Sequence, residues 1–206
     1  MQVSTIVFDF GNVIAHFDYK IAAGRIGQPL GLSGAELMAR AMELGFHPLL
    51  MDLESGRIDE NSFFSELKKR LLLPQNVQQI AEDWADIFTA NQPVHDLAHK
   101  LADNGYRLVL GSNTNAVHAR QFRRQFAALL DRFDALVMSH EVGAMKPARL
   151  FYERCHTVAG SRPDECVFID DMAENIEGAR AAGLHAVHYT GTENLVDKLR
   201  ELGVRA

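Results

Sequence analysis

Short apolar runs that are continuous rather than alternating constrain this chain more than any other feature. Thr5–Phe8, Arg107–Leu110, Ala135–Met138, Val167–Ile169 and Ala186–His188 are rich in Val, Ile, Leu and Phe, and each gives way to polar or small residues. A strand buried on both faces needs such a run, whereas a strand with one wet face alternates. From Pro93 onward the runs are separated by amphipathic stretches with helical spacing, Ala116–Leu130, Ala148–Ala159, Glu174–Ala182 and Asn194–Leu202. Strand and helix in alternation make βαβ units and a parallel sheet covered on both sides.

The interval between the first run and Arg107 breaks this rhythm. It has helical periodicity and no strand run. Ser33 and Asp59 are positioned to cap helices beginning at Gly34 and Glu60, Phe63, Phe64, Leu67 and Leu71 form an apolar stripe, and Gln75–Ala90 reads as a further helix. The expected architecture is therefore α/β, a three-layer Rossmann-like parallel sheet with a small all-helical cap inserted at 21–89 and the core made of 1–20 and 90–206. A chain of 206 residues is long enough for one substantial core and such a unit.

Composition narrows the partners. Twenty-seven acidic against 21 basic residues give a net charge of -6, which repels nucleic acid. The longest apolar runs, such as Leu71–Leu73 and Ala127–Leu130, fall far short of the roughly 18 residues of a membrane span. The first residues lack the basic segment of a secretory signal, and Cys155 and Cys166 form no Cys-x-x-Cys pair, which fits a reducing compartment. A cytoplasmic protein is expected, with no nucleic-acid or membrane partner; the pattern specifies no oligomeric state.

Ligands of open parallel sheets bind beyond the carboxyl ends of the strands. Asp9 ends the first run, Ser112 the second, Lys146 follows the third, and Asp170 and Asp171 end the fourth. Three carboxylates on one rim repel one another unless a cation sits among them, and all-oxygen ligation suits Mg²⁺. An entering phosphoryl dianion would be neutralised by Lys146 and the metal and hydrogen-bonded by Ser112 and backbone N–H groups. A carboxylate facing that phosphorus can attack it, and Asp9 is the best placed to do so. Singly, Ser112 or Asp170 also fits a helix cap; the ordered set at successive strand ends points to a site.

These four motifs, in this order, resemble those of the haloacid dehalogenase-like hydrolase superfamily, over essentially the whole chain. Glu54-Ser-Gly-Arg-Ile58, Gly143-Ala-Met-Lys-Pro147 and Phe168-Ile-Asp-Asp-Met-Ala-Glu-Asn175 are similar to segments of its small sugar-phosphate phosphatases, such as the α-D-glucose-1-phosphate phosphatases and the phosphatase domain of soluble epoxide hydrolase. The resemblance implies a Mg²⁺-dependent phosphatase acting on a small phosphorylated metabolite, a sugar phosphate such as glucose 1-phosphate, through an aspartyl-phosphate. It implies that Asp9 is nucleophile and metal ligand, that the Gly11 carbonyl and Asp171 bind the metal directly and Asp170 through water, that Ser112, Asn113 and Lys146 hold the phosphoryl group, and that Asn175 orients the site. A β-phosphoglucomutase-like phosphomutase and a non-catalytic phosphosugar-binding protein are the alternatives.

One departure stands out. Most phosphatases of the superfamily carry an acid/base aspartate where this chain has Gly11, so proton transfer falls to another residue. His16 and Glu54 are the candidates to activate water, and Gly11 by itself favours substrates whose oxygen leaves unaided, such as sugar 1-phosphates and aryl phosphates. His95 and His99 have a zinc-like spacing without a third ligand, and Arg120, Arg123 and Arg124 read as a solvated helix face.

Overall fold

The structure, a computed structural model, describes residues 2–206. The elements follow in the order β1 (Thr5–Phe8), β2 (Ala15–Phe17), α1 (Tyr19–Gly27), α2 (Gly34–Glu43), α3 (Phe46–Glu54), α4 (Glu60–Leu71), α5 (Val77–Ala85), β3 (Phe88–Ala90), α6 (Gln92–Asp103), β4 (Arg107–Ser112), α7 (Ala116–Gln125), α8 (Ala127–Leu130), β5 (Ala135–Met138), α9 (Ser139–Val142), α10 (Arg149–Val158), β6 (Cys166–Asp170), α11 (Ala173–Ala181), β7 (His185–His188) and α12 (Thr192–Glu201).

Five strands form a parallel sheet in the order β5-β4-β1-β6-β7. β1 is central, with Ile6 beside both Leu108 and Val167. Alternate side chains of β1 enter different layers: Ile6 and Phe8 pack with α6, α7 and α12 through Leu97, Phe122 and Leu195, and Val7 packs with α10 and α11 through Phe151 and Ala179. Burial on both faces is the reason these runs carry no polar alternation. The chain leaves β1 for β4 and β5 on one side, then crosses to β6 and β7 on the other. The carboxyl ends of β4, β1 and β6 therefore converge where the winding reverses.

The structure lengthens three of the expected strands, β7 by His185 alone, and adds a ribbon. β4 runs on through Ser112 and β6 through Asp170, so these polar residues close their strands rather than follow them. The expected helix Gln75–Ala90 stops at Ala85, and Phe88–Ala90 instead pairs antiparallel with Ala15–Phe17, His16 opposite Thr89. The ribbon lies where the chain leaves the sheet and returns to it, so the insertion is helical except at its base. The expected helix Ala116–Leu130 is broken at Phe126, whose ring turns into the core.

Helices α1 to α5 enclose an apolar cluster of their own, centred on Phe63, Phe64, Ile80 and Trp84. Their starts obey the expected capping. Ser33 and Glu36 form a reciprocal box, the Ser33 N–H donating to Glu36 Oε2 at 2.8 Å, and Asp59 Oδ1 accepts from the Ser62 N–H at 2.7 Å. Val117 and His118 of α7 join this cluster to the sheet layers: the His118 ring stacks on Trp84 at 5.4 Å and 4°. Its Nε2–H donates to the Trp84 carbonyl at 3.2 Å, and Nδ1 accepts from Asn115 Nδ2 at 3.2 Å.

Burial pushes the His118 pKa down from 6.5 to about 4, only partly opposed by the bond to Trp84. With the folded value below the unfolded one, the unfolded chain binds the proton first as pH falls, so stability is lost between pH 6.5 and 4. The loss expected from this residue is roughly 3 kcal/mol. Urea unfolding of the wild type and of His118→Gln at pH 7 and pH 4.5 should show a smaller drop in the variant.

Candidate active site

Lys146 lies in the loop after α9, and its ammonium is buried beneath the strand ends. Nζ donates to Asp9 Oδ1 at 2.6 Å, to Asp170 Oδ2 at 2.7 Å and to the Gly111 carbonyl at 3.1 Å, which engages all three of its donors. Burial works against the charge, but Asp9 and Asp170 outweigh it and hold the Lys146 pKa above the ordinary lysine value. The Phe168 ring lies 5.5 Å from Nζ. Asn113 fixes the lysine backbone in both directions: Lys146 N–H donates to Asn113 Oδ1 at 2.8 Å and Asn113 Nδ2 donates to the Lys146 carbonyl at 3.1 Å. The sequence points to Asn113 as a phosphoryl-binding side chain; the structure instead turns its amide onto Lys146.

The carboxylates are oriented differently from one another. Asp9 Oδ1 accepts from both Lys146 and the Phe10 N–H (2.7 Å), whereas Oδ2 accepts no hydrogen bond among the described residues. Asp170 is wholly buried, its Oδ1 accepting from the Met172 N–H and from Asn175 Nδ2, both at 2.9 Å. Asn175 is fixed in turn by the Tyr152 hydroxyl, which donates to its carbonyl at 2.8 Å. Asp171 Oδ2 accepts from Asn12 Nδ2 at 2.9 Å. Burial pushes Asp9 up to about 7, Lys146 pulling against it while Asp170 and Asp171 add to the rise.

One oxygen from each of Asp9, Asp170 and Asp171 lies within 4.8 Å of the others. Three carboxylates against one ammonium leave an excess of negative charge in a site with little water to screen it. The donors are all hard oxygens, and the residues fit a small divalent cation such as Mg²⁺. Gly11 lies in the tight turn after β1, closed by the Asn12 N–H donating to the Ala15 carbonyl at 2.8 Å and the Ala15 N–H to the Phe10 carbonyl at 2.9 Å. Asn12 has φ 56°, a left-handed conformation that asparagine tolerates better than most residues. A Cβ at Gly11 would come within 2.9 Å of Phe17 Cε1, so the Phe17 ring occupies the space a side chain there would need.

Ser112 is buried, and its hydroxyl has only a long contact of 3.4 Å to the Asn113 carbonyl. Glu54 ends α3, is 8% exposed, and its carboxyl makes no hydrogen bond or ion pair among the described residues. Burial pushes Glu54 up to about 7, opposed by the charge of Lys146. His16 is not brought into the cluster: it is exposed on β2, and strand alternation sets it opposite the face on which Phe17 meets Gly11. His95 turns inward rather than to a surface, pairing through Nε2 with the Ile14 carbonyl at 3.0 Å.

Two participants were missed in the sequence. Asn12, which holds Asp171, has no role in the sequence reading. Ser139, the first residue after β5, donates through Oγ to the Glu54 carbonyl at 2.5 Å and accepts from the Thr114 N–H at 2.9 Å. The strand-end rule applied to β5 finds it.

A family model described as haloacid dehalogenase-like hydrolase matches residues 3–183. A phosphatase of Mycobacterium tuberculosis is 29% identical over 90% of this chain and 87% of its own length. A D-ribitol-5-phosphate phosphatase of Bacteroides thetaiotaomicron is 26% identical over 98% of each. Among solved structures, a HAD-family enzyme of B. thetaiotaomicron superposes with a TM-score of 0.84 at 21% identity, covering 97% of this chain and 100% of that one. The structure of such an enzyme in complex with magnesium and inorganic phosphate superposes at 0.76, with 20% identity and 90% and 93% coverage.

Because Lys146 compensates two buried carboxylates, Lys146→Met leaves both without a cationic partner. A loss of about 3–5 kcal/mol is expected in Mg²⁺-free urea unfolding. Adding Asp9→Asn in the same chain should recover part of it, since one stranded charge is removed.

Proposed function

Because the chain belongs to the haloacid dehalogenase-like hydrolases, we propose that it is a Mg²⁺-dependent phosphatase that cleaves a small phosphomonoester through an aspartyl-phosphate on Asp9. The observation that carries this reading is the division of labour within one carboxylate. Asp9 Oδ1 takes both hydrogen bonds and Oδ2 takes none, which leaves an oriented oxygen with its lone pairs available for attack. The Ser112 hydroxyl is free to donate to the phosphoryl oxygens, and Lys146, its donors already engaged, sets its positive charge beside them.

Asp9, Asp171 and the Gly11 carbonyl would hold Mg²⁺, with Asp170, whose two oxygens are already engaged by Lys146, Met172 and Asn175, in support. The bound cation supplies positive charge against the phosphoryl oxygens and the carboxylates. Lys146 opposes the burial that raises the Asp9 pKa, and Asn113 keeps Lys146 in place. The helical insertion, residues 21–89, acts as a cap over the strand ends of the core, residues 1–20 and 90–206, and excludes bulk water from the chemistry.

The substrate proposed is a sugar or polyol phosphate, glucose 1-phosphate being one candidate. Supporting it, the D-ribitol-5-phosphate phosphatase that this chain resembles matches along 98% of both sequences. No helix among the described residues is long and apolar enough to cross a membrane.

A screen of phosphate release over a panel of phosphometabolites, with and without Mg²⁺, tests the reading. Sugar and polyol phosphates should stand at the head of the panel, and chelator should abolish release. Asp9→Asn should be inactive on every member, because an amide neither attacks phosphorus nor supplies the charge. Near-normal turnover by that variant would refute the covalent route.

A further inference from the structure

We propose that Glu54, delivered from the helical insertion, is the group that protonates the departing oxygen and then takes a proton from the attacking water; this deepens the phosphatase reading and rests on it. An alkoxide leaves phosphorus poorly without a proton, and Gly11 has no side chain to give one. A side chain there would first have to displace the Phe17 ring.

The other titratable groups around the rim are engaged. Lys146 donates all three protons to Asp9, Asp170 and Gly111, and Asp170 uses both oxygens. Asp171 is held by Asn12, His188 Nε2 is bonded to the Asp171 carbonyl at 2.8 Å, and His140 Nδ1 to the Thr114 carbonyl at 3.1 Å. His16 is exposed on the far face of its ribbon. Glu54 alone among them is a buried residue whose carboxyl makes neither a hydrogen bond nor an ion pair among the described residues.

Its place is fixed from both sides. Ser139, at the end of β5, holds the Glu54 carbonyl, and Ser139 is held by Thr114, two residues beyond Ser112. Two residues on, Gly56 lies so close to the core that a Cβ would come within 2.4 Å of the His140 carbonyl oxygen. The end of α3 is thus seated against α9 and, through Ser139, the loop that follows Ser112, and the Lys146 charge acts on the Glu54 carboxyl. The other titratable neighbour is Tyr19 of α1, whose phenol is held above its ordinary value by burial and by Glu54, and so stays neutral. A carboxyl pushed up to about 7 by burial is available in both protonation states at neutral pH, as a group that first gives and then takes a proton must be.

The steps balance. As Asp9 Oδ2 bonds phosphorus and the P–O bond to the organic group breaks, the Glu54 proton passes to that oxygen and an alcohol leaves. Water then bonds phosphorus as the Asp9–phosphorus bond breaks, its proton returning to Glu54 and inorganic phosphate departing.

Rapid-quench kinetics of wild type and Glu54→Gln, with p-nitrophenyl phosphate and a primary sugar phosphate, tests the assignment. The variant should release about one p-nitrophenolate per chain in a burst, because that oxygen leaves unaided, and then turn over roughly 10²- to 10⁴-fold more slowly than the wild type. With the sugar phosphate it should show no burst and a loss at least as large. The burst also reports a folded chain with a competent Asp9. Glu54→Asp, which keeps the carboxyl one methylene further back, should lie between the two on both substrates and carries the test if the amide variant does not fold. Equal losses on both substrates without a burst, or no loss, overturn the role of Glu54 and leave the phosphatase reading standing. Absence of phosphate release by the wild type on either substrate overturns that reading and this inference with it.

Discussion

The buried ammonium of Lys146 is the interaction on which the rest of the site depends. Two carboxylates can lie at the carboxyl ends of adjacent strands, out of water, because a cation sits between them at 2.6 and 2.7 Å. A buried pair of this kind tolerates little misplacement, since an imperfect contact leaves the desolvation of the charges uncompensated. The supporting bonds follow from that demand: Asn113 on the lysine backbone, Asn175 and the Met172 N–H on Asp170, and Tyr152 on Asn175. Gly178 belongs to the same arrangement. A Cβ there would stand 2.8 Å from both the Pro147 Cβ and the Tyr152 hydroxyl, so its absence lets α11 approach the loop that carries Lys146.

The balance is deliberately incomplete in its electrostatics. Asp171 is held by the neutral Asn12, not by a cation, and Lys146 has no donor left to offer it. The site therefore combines a rigid, internally neutralised half with a half that still carries excess negative charge. Orientation comes from the first, and capacity to accept a divalent cation from the second. Held in that way, the carboxylates need little reorganisation when a charged ligand arrives, which is the condition under which fixed dipoles and charges contribute most to a reaction.

Much of this was legible in the sequence because strand ends and function coincide. A two-sided strand can hold a polar residue only where the sheet stops, so Asp9, Ser112 and Asp170 mark the boundaries of apolar runs and the site together. Lys146 was less exposed to that logic, lying eight residues beyond β5, and it was placed by the company of the other motifs. The β2–β3 ribbon escaped notice because strands of three residues have no periodicity, and their pairing is a tertiary event between segments about seventy residues apart. The work of Asn12 and Asn113 was likewise hidden: an amide's partner depends on what the fold brings within 3 Å of it, and neither partner is near in sequence.

That ribbon has a consequence for how the chain tolerates change. Both passages between sheet and insertion run through it, His16 opposite Thr89 and Phe17 opposite Phe88, so the ends of the intervening segment are fixed at the spacing of two hydrogen-bonded strands whatever lies between them. The entropy of closing such a loop grows only with the logarithm of its length, about 0.6 kcal/mol for each doubling. The sheet register does not depend on what the ribbon encloses. Residues 18–87 can accordingly vary in length or be exchanged for another self-packed unit with the strand ends left in place, and the fold can acquire a different cover over the same carboxylates, the group at position 54 changing with it.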